Sequence, residues 1–155
     1  MASASATRPL PVLSLQAAQI ASEAAQRKAK EMGIDFNIAL VDSTLHLLHF
    51  TRMPNAKLTS IQIAIDKAFT AAGHRAPTST YSGKNFLPGG PAYGIHNSNG
   101  GRFMLIGGGI PFTVDGQVVG AIGVSTGTPA QDMEVAQAGV DAVEAWVKKR
   151  AGPKL

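Results

Sequence analysis

The sequence predicts an α+β protein: a single-domain α/β/α sandwich with a central five-stranded antiparallel sheet. Three observations lead to this prediction. The chain has 155 residues, the length of one domain. Helical and strand-like segments follow one another in the order α, β, β, α, loop, β, β, β, α. Because tight turns join most successive strand-like segments, we expect antiparallel pairing, with the helices packed on the faces of the sheet.

The N-terminal third is predicted to contain one helix and one β-hairpin. Residues 15–32 are rich in alanine, which favours a helix. Ser14 and Gly33 flank this segment, and residues of these types begin and end helices. Two β-type runs, 35–41 and 45–52, come next and are separated by residues that favour a turn. The pattern therefore predicts a helix followed by an antiparallel strand pair.

Residues 58–72 are predicted to form a second helix, ended by Gly73. Their apolar side chains recur at spacings of three and four, which places them on one face of a helix. Lys67 lies off that face, so it is interpreted either as a surface charge or as a cation for an anionic ligand. The apolar stripe consists of Leu58, Ile61, Ile65, Ala68, Phe69 and Ala72.

The segment 73–101 is long, poorly periodic, and rich in glycine, proline, serine and asparagine. Within it, residues 78–84 have the pattern of a short helix. A segment of this length without regular structure inside a compact domain is often functional. We therefore expect it to contribute residues to a site.

Three further strands are predicted, at 103–106, 110–114 and 117–125. The second and third are joined by Asp115-Gly116, which is a strong signal for a hairpin turn. A run of glycines separates the first from the second. These strands complete the expected five-stranded sheet.

The last helix is predicted to begin at Pro129 and to run to about residue 150. Thr128 and Gln131 have the spacing of a capping box, and proline is favoured at the first helical position. Its face toward the core is predicted to consist of Ala136, Val140, Val143 and Val147.

Composition excludes several classes of protein. The chain has no cysteine, which excludes disulfides, thiolate metal sites and cysteine nucleophiles. Four of the 14 basic residues lie among the last eight residues, so the remaining chain has ten basic and ten acidic residues. A near-neutral body lacks the basic face of a nucleic-acid-binding protein. No apolar run reaches the roughly 18 residues that a membrane span requires. We therefore expect neither a nucleic acid nor a membrane as partner.

The folded domain is predicted to comprise residues 13–150. Residues 1–12 lack the apolar centre of a secretory signal and are expected to be a disordered N-terminal tail. Residues 151–155 are expected to be a basic tail. The absence of cysteine is consistent with a reducing compartment, and we expect a cytoplasmic location.

Glycine is concentrated in one part of the chain. Of 17 glycines, 13 lie between Gly83 and Gly127. The run Gly107-Gly108-Gly109 lacks the continuation of a P-loop, and no GxGxxG fingerprint is present. Two interpretations of this run stay open: a strand that another part of the protein approaches closely, or bare backbone that lines a ligand pocket.

The motif GxSxG occurs around Ser125, between a predicted strand and a predicted helix. All four histidines precede Ser125, so the chain lacks the residue order of a serine-hydrolase triad. The remaining interpretation is a helix start. Free N–H groups near Gly127 and Thr128, beside the hydroxyls of Ser125 and Thr126, are predicted to bind a carboxylate or a phosphate.

The other candidate site residues are a histidine and two cations. His96 lies in the glycine-rich segment with Tyr93 and Asn97, and an imidazole can serve as a general base or as an axial haem ligand. Arg52, at the end of a predicted strand, and Lys67 are the candidate cations for an anionic ligand. No metal site is predicted, because His46 and His49, three residues apart on a predicted strand, face opposite sides and cannot easily share one metal ion.

Several short motifs occur together along the chain. They are Val41-Asp42, Phe50 to Met53 with Ala56, the pattern SxxxAxxKAxTA from Ser60 to Ala71, Tyr93-Gly94, Ser98 to Gly101, Gly107 to Pro111, Val119 to Ser125, Gly127, Gln131-Asp132 and Ala138-Gly139. With this combination the chain resembles the GlcG/HbpS-like family, which includes the C-terminal domain of PduO-type proteins. The resemblance covers residues 13–147.

The resemblance implies a central antiparallel sheet flanked by helices, in a homo-oligomer that is a dimer or a higher ring. For some similar proteins it implies a haem or corrinoid-related ligand, and for others a catabolic role on small organic acids. The chain departs from the family pattern in two places: Leu45 replaces the usual glycine of the first hairpin, and Pro54 replaces the usual aspartate. No histidine precedes His46, so the helix-one histidine that some relatives use for haem has no counterpart.

Two functional hypotheses stay open. The first is a small-ligand-binding protein that holds haem or a small organic acid in a glycine-lined pocket. The second is a cofactor-free isomerase, hydrolase or lyase for a small organic acid or an unsaturated carbonyl compound, with His96, Lys67 and Arg52 as catalytic residues. No cofactor is required by either, and haem is a candidate ligand. The expected ligand-binding residues are Tyr93, Asn97, Gly107, Gly108, Gly109, Ser125 and Thr126.

Overall fold

The computed structural model describes residues 5–152. Three helices and four strands make up its regular structure, and four short 3₁₀ segments lie between residues 78 and 101. The helices and strands are α1 (Leu15–Met32), β1 (Asn37–Asp42), β2 (Leu47–Arg52), α2 (Ser60–His74), β3 (Gly109–Val114), β4 (Gln117–Ser125) and α3 (Pro129–Ala151).

The four strands form one antiparallel sheet in the order β2-β1-β4-β3. Helix α2 packs on one face, and α1 and α3 pack together on the other. Alternate residues of each strand therefore enter different cores. In β1, Ile38 belongs to the core under α1 and α3, whereas Ala39 belongs to the core under α2. The predicted α/β/α sandwich is confirmed, with four strands in the sheet.

The prediction of a fifth strand at 103–106 is wrong. This segment has no ladder partner, because the side chain of Thr70 on α2 satisfies its backbone instead. The N–H of Met104 donates to Thr70 Oγ1 at 2.9 Å. The ring of Phe103 packs edge-on against His74, with the ring centroids 5.1 Å apart. Gly108, with φ +130°, then turns the chain into β3.

The capping residues of α1 and α3 were predicted correctly from the sequence. The Ser14 side chain accepts a hydrogen bond from the N–H of Ala17, and Gly33 has φ 68°, in the left-handed region. At α3, the reciprocal capping box between Thr128 and Gln131 is present. Both helices begin where the cap residues place them.

The end of α2 differs from the prediction. The helix continues through Gly73 to His74, and Arg75 takes the left-handed conformation with φ 57°. Gly73 instead accommodates Leu45, since a Cβ at Gly73 would lie 3.2 Å from Leu45 Cδ1. Leu45 itself has φ 70°, a left-handed conformation that glycine adopts more readily than leucine.

Helix α2 lies unusually close to β4. A Cβ at Gly123 would meet the carbonyl oxygen of Ala64 and would lie 2.5 Å from the backbone nitrogen of Ala68. Only small side chains fit between the helix and the sheet at this separation. The core under α2 is accordingly made almost entirely of alanines.

This close approach changes which residues of α2 are buried. Lys67, predicted to lie off the buried face, is buried. Of the predicted apolar stripe, Ala68 and Ala72 are buried, whereas Leu58 is 68% exposed, and Ile61 and Phe69 are only partly buried. Alanines occupy the positions where the helix is closest to the sheet, and the larger apolar side chains of the helix are only partly buried.

The predicted tails are only partly described. Residues 5–12 contain no helix or strand, and residues 1–4 and 153–155 lie outside the described range. Leu13, where the domain was predicted to begin, is buried, and its N–H donates to the carbonyl of Val119 at 2.8 Å. Ala151 is the last residue of α3 and not part of a tail. No described helix is long and apolar enough to cross a membrane.

The close contact between α2 and β4 predicts a large effect of one methyl group. Gly123→Ala should lower the free energy of unfolding by about 3 kcal/mol or more, because the added Cβ overlaps rigid backbone atoms. Gly83→Ala is the matched control, since φ there is −87° and no atom lies within 4 Å of the added Cβ. It should leave stability unchanged or raise it by up to about 1 kcal/mol. Urea denaturation measures both, and equal effects would contradict the close approach.

Candidate functional site

A buried ion pair joins α2 to α3 at the end of β4. Lys67 Nζ lies 2.7 Å from Asp132 Oδ2 and donates to the carbonyl oxygen of Val124 at 2.9 Å. The N–H of Gly127 donates to the other carboxylate oxygen of Asp132, also at 2.9 Å. The side chains of Lys67 and Asp132 are 1% and 3% exposed. Two side chains thus join α2 to the distant end of β4 and to the start of α3.

Burial opposes the charge on both members of the pair. It lowers the pKa of the Lys67 amine, and the hydrogen bond and charge of Asp132 only partly offset this effect. Burial likewise raises the pKa of the Asp132 carboxyl, against the influence of Lys67 and of the Gly127 N–H. Each charge is therefore stabilised mainly by the other.

The triple glycine gives Lys67 its space. A Cβ at Gly108 would lie 2.7 Å from Lys67 Nζ and 2.8 Å from Asp132 Cβ. A Cβ at Gly109 would lie 2.5 Å from the carbonyl oxygen of Lys67. Gly107, Gly108 and Gly109 are all buried. The close backbone approach expected at these glycines is an approach to α2 of the same chain, so they lie behind Lys67 and not on the surface of an open pocket.

A cavity of about 280 Å³ opens beside the ion pair. It combines cationic, hydroxyl and apolar walls. At its rim, Thr126 has φ 145°, which is rare for a β-branched residue, and its Oγ1 accepts a hydrogen bond from the N–H of Lys57 at 3.2 Å. The lining residues are Lys57, Ser60, Ile63, Lys67, Ile106, Ser125, Thr126, Gly127, Pro129 and Asp132.

Three of the predicted site residues meet at this cavity: Lys67, Ser125 and Thr126. Arg52 lies in the same row of the sheet as Ser125, with Asn37 of β1 between them, and its side chain is exposed at the strand end. Arg52 is therefore near the site but not part of its wall.

The residues predicted in the glycine-rich segment lie elsewhere. Tyr93 is 57% exposed, and its ring centroid is 6.2 Å from that of His96. His96 and Asn97 are exposed in a 3₁₀ turn. Among the described residues, His96 forms no hydrogen bond with Lys67 or Arg52, so the structure does not assemble the three predicted catalytic residues into one group.

The helix start at α3 is not the anion site that the sequence suggested. The N–H of Gly127 is bound to Asp132, and the N–H of Thr128 is bound to the Gln131 side chain at 2.9 Å. A capping box uses the N–H groups that a ligand would need. The hydroxyls of Ser125 and Thr126, together with Lys57, stay on the cavity wall.

Sequence reasoning missed three residues of the site: Asp132, Lys57 and Ser60. Asp132 is an acid in the first turn of a helix, where acids are common for purely electrostatic reasons. Its partner is 65 residues away, and no local pattern links the two. The sequence contained only a weak signal for this pair. Lys67 is an isolated lysine within an alanine-rich helix segment that was expected to pack on a sheet.

Comparisons with known proteins relate the whole fold to one family. The family model described as haem-degrading protein HbpS-like matches residues 13–141. An uncharacterized 15.0 kDa protein of Citrobacter freundii is 33% identical over 87% of this chain and 94% of its own length. Protein GlcG of Escherichia coli K12 is 34% identical over 74% of this chain and 81% of its own length. The corrinoid adenosyltransferase PduO of C. freundii is 32% identical over 90% of this chain, which spans only 42% of that protein.

Solved structures show the same architecture. Klebsiella pneumoniae protein ORFY superposes with a TM-score of 0.89 at 32% identity, over 92% of this chain and 97% of its own. PduOC in a complex with haem gives a TM-score of 0.80 at 30% identity, over 84% and 94% of the two chains. HbpS gives 0.79 at 30% identity, over 91% and 96%.

The buried pair predicts strong coupling between two distant residues. Lys67→Met and Asp132→Asn should each cost about 3–5 kcal/mol of unfolding free energy, because each leaves the partner buried and unpaired. The double variant should cost much less than the sum of the two. The exposed pair Lys28–Glu134 is a matched control with the same 2.7 Å separation, and Lys28→Met should change little. Additive effects at residues 67 and 132 in urea denaturation would contradict the coupling.

Proposed function

Because this chain belongs to the HbpS-like family, we propose that it is a small-ligand-binding protein, and that its ligand is a small organic acid held in the cavity beside Lys67. The observation that carries the proposal is the charge of the cavity wall. Asp132 is already paired with Lys67, whereas Lys57 forms no ion pair with any described residue. The wall therefore has one uncompensated positive charge beside several hydroxyls, which suits a carboxylate.

The size of the cavity supports a ligand of few atoms. Typical small-molecule sites have volumes of about 300–1,000 Å³, and this cavity has about 280 Å³. Ile63 and Ile106 contribute apolar surface to the wall. In a short organic acid, the carboxylate matches the polar part of the wall and a small apolar group matches the apolar part.

A larger cavity of about 760 Å³ lies between the N-terminal segment and the hairpin turns. Its lining includes Arg8, Leu45 and Gly116, and none of the described side chains in it is both buried and titratable. It lacks groups held in a defined position by burial and hydrogen bonds. We therefore place the organic acid in the smaller cavity.

Haem is the second candidate ligand, favoured by the haem complex of PduOC. An enclosed haem needs an axial side chain beside a flat apolar slot. Of the four histidines, His74 has the apolar neighbours Leu45, Phe69 and Phe103, but the cavity there has only about 160 Å³. His49 borders a cavity with mostly polar walls. The residues present do not fit an enclosed haem, so the organic acid comes first.

The enzyme hypothesis has less support from the arrangement of the residues. Of the three predicted catalytic residues, Lys67 alone lines the cavity. Arg52 and His96 are exposed outside it. An isomerase, hydrolase or lyase mechanism that requires all three therefore has no common site in this chain.

The outer face of α2 supports a homo-oligomer. Leu58, just before α2, is 68% exposed, and Ile61 in the first turn of α2 is only partly buried. Large apolar residues on an outer face commonly mark a protein interface. We infer that a second copy of this chain covers the face, as the family resemblance implies.

The proposed ligand class predicts a charge-dependent affinity. Lys57→Gln should weaken binding of pyruvate at least about tenfold, because a charge-assisted hydrogen bond contributes about 1.5–3 kcal/mol. His96→Ala is the matched control and should bind normally. Isothermal titration calorimetry measures both. A competing outcome is a stoichiometric, saturable Soret shift with hemin that is lost in His74→Ala, with no binding of pyruvate; this would establish haem as the ligand.

The apolar face of α2 predicts a change of mass in solution. The double variant Leu58→Glu/Ile61→Glu should be monomeric by light scattering, because it places charges in the proposed interface. Leu87→Glu is the control, since Leu87 is 56% exposed but lies in the glycine-rich segment, and it should keep the oligomer. A monomeric wild-type protein, or an oligomer that persists in the double variant, would contradict the interface.

A further inference from the structure

The amine of Lys67 has properties that binding alone does not require. A protonated lysine has three donor hydrogens. Val124 and Asp132 accept two of them, and the third has no acceptor among the described residues. The same side chain lines the cavity. The amine is therefore not saturated with acceptors, and it lies beside Gly108, which adds no side chain.

Lys67 also differs from the other described lysines in its environment. It is buried, whereas Lys57, which also lines the cavity, is exposed. Burial lowers the pKa of Lys67, which increases the fraction of uncharged, nucleophilic amine at neutral pH. Lys57 stays available as an ordinary cation. The cavity wall thus contains two amines with different properties. Lys67 is suited to react, and Lys57 is suited to attract an anion.

Asp132 is placed to move the proton that such a reaction needs. Its Oδ2 is 2.7 Å from Lys67 Nζ, and its Oδ1 is held by the Gly127 N–H at 2.9 Å. Burial favours the protonated form of this carboxyl. It can therefore accept a proton from the lysine and later return it, without leaving its position.

The geometry points to an activity beyond reversible binding: we propose that Lys67 captures the carbonyl carbon of a 2-oxo acid as a covalent imine, with Asp132 as the proton carrier. The inference rests on the proposed organic-acid site. Ser125 directly follows Val124, whose carbonyl holds the amine, so a hydroxyl for the carboxylate lies next to the nucleophile. A ligand whose carboxylate adjoins its carbonyl group matches that arrangement.

The reaction balances with the groups present. Asp132 takes one proton from the ammonium of Lys67, and the free amine forms a C–N bond to the carbonyl carbon as the C=O π bond breaks and its electron pair passes to the oxygen. A proton then moves from the nitrogen to this oxygen and gives the neutral carbinolamine. Asp132 protonates the carbinolamine hydroxyl, the nitrogen lone pair forms the C=N bond, the C–O bond breaks, and water leaves. The products are a protonated imine, paired with the Asp132 carboxylate, and one water molecule. No oxidant, reductant or metal is consumed.

The test traps the imine on the wild-type protein. The wild-type protein, as purified, is incubated with pyruvate and sodium cyanoborohydride at pH 7, digested, and mapped by mass spectrometry. Reduction of the imine leaves a lysine heavier by pyruvic acid less one oxygen atom. We expect this adduct at Lys67 at a higher occupancy than at any exposed lysine, because burial lowers the pKa of Lys67 and so increases its fraction of free amine. Lactate, which has no reactive carbonyl, should compete and leave no adduct.

Two comparisons separate this inference from the binding function. Lys57→Gln should reduce trapping in parallel with pyruvate affinity, while Lys67→Arg, checked for folding by circular dichroism, should abolish the adduct. If calorimetry shows that wild-type protein binds pyruvate but no adduct forms at Lys67, the imine is excluded and the binding function stands. Adducts distributed over the exposed lysines also exclude it. If neither binding nor an adduct is found, both proposals fail.

Discussion

The close contact between the backbone of α2 and the backbone of β4 determines most of this structure. At Gly123 the helix approaches the sheet so closely that a single methyl group would overlap Ala64 and Ala68. Close packing leaves no alternative at that separation except glycine and alanine. The large apolar residues of α2 are therefore only partly buried. The lysine at position 67, by contrast, is buried, and it needs a counter-charge.

Asp132 supplies that counter-charge, and the pair also requires particular residues around it. Gly108 leaves room for the ammonium group, and the Gly127 N–H completes the coordination of the carboxylate. A buried ion pair is expensive to desolvate, and a hydrophobic pair of similar volume is often at least as stable. Its presence beside a cavity is consistent with a chemical role for these two residues in addition to a structural one.

The family relationship establishes the fold of this chain but not the identity of its ligand. Relatives of similar fold include a haem complex and part of a corrinoid adenosyltransferase, and one fold commonly supports several functions through local changes at its sites. In this chain no histidine lies on α1, and the cavity beside the ion pair is small and positively charged. These two features favour a compact anion over a tetrapyrrole as the ligand that we propose.

Much of the secondary structure was determined by local sequence alone. Ser14, Gly33 and the Thr128–Gln131 box set helix ends, and Asp115-Gly116 set a hairpin, because caps and turns depend on hydrogen bonds between residues a few positions apart. Tertiary structure decided which side of α2 is buried, why 103–106 is not a strand, and which acid pairs with Lys67. Each depends on atoms from distant parts of the chain: the glycine gap in β4, the Thr70 hydroxyl, and a carboxylate 65 residues away. Periodicity along one helix shows which residues share a face, but the space left by its neighbours decides which face can be buried.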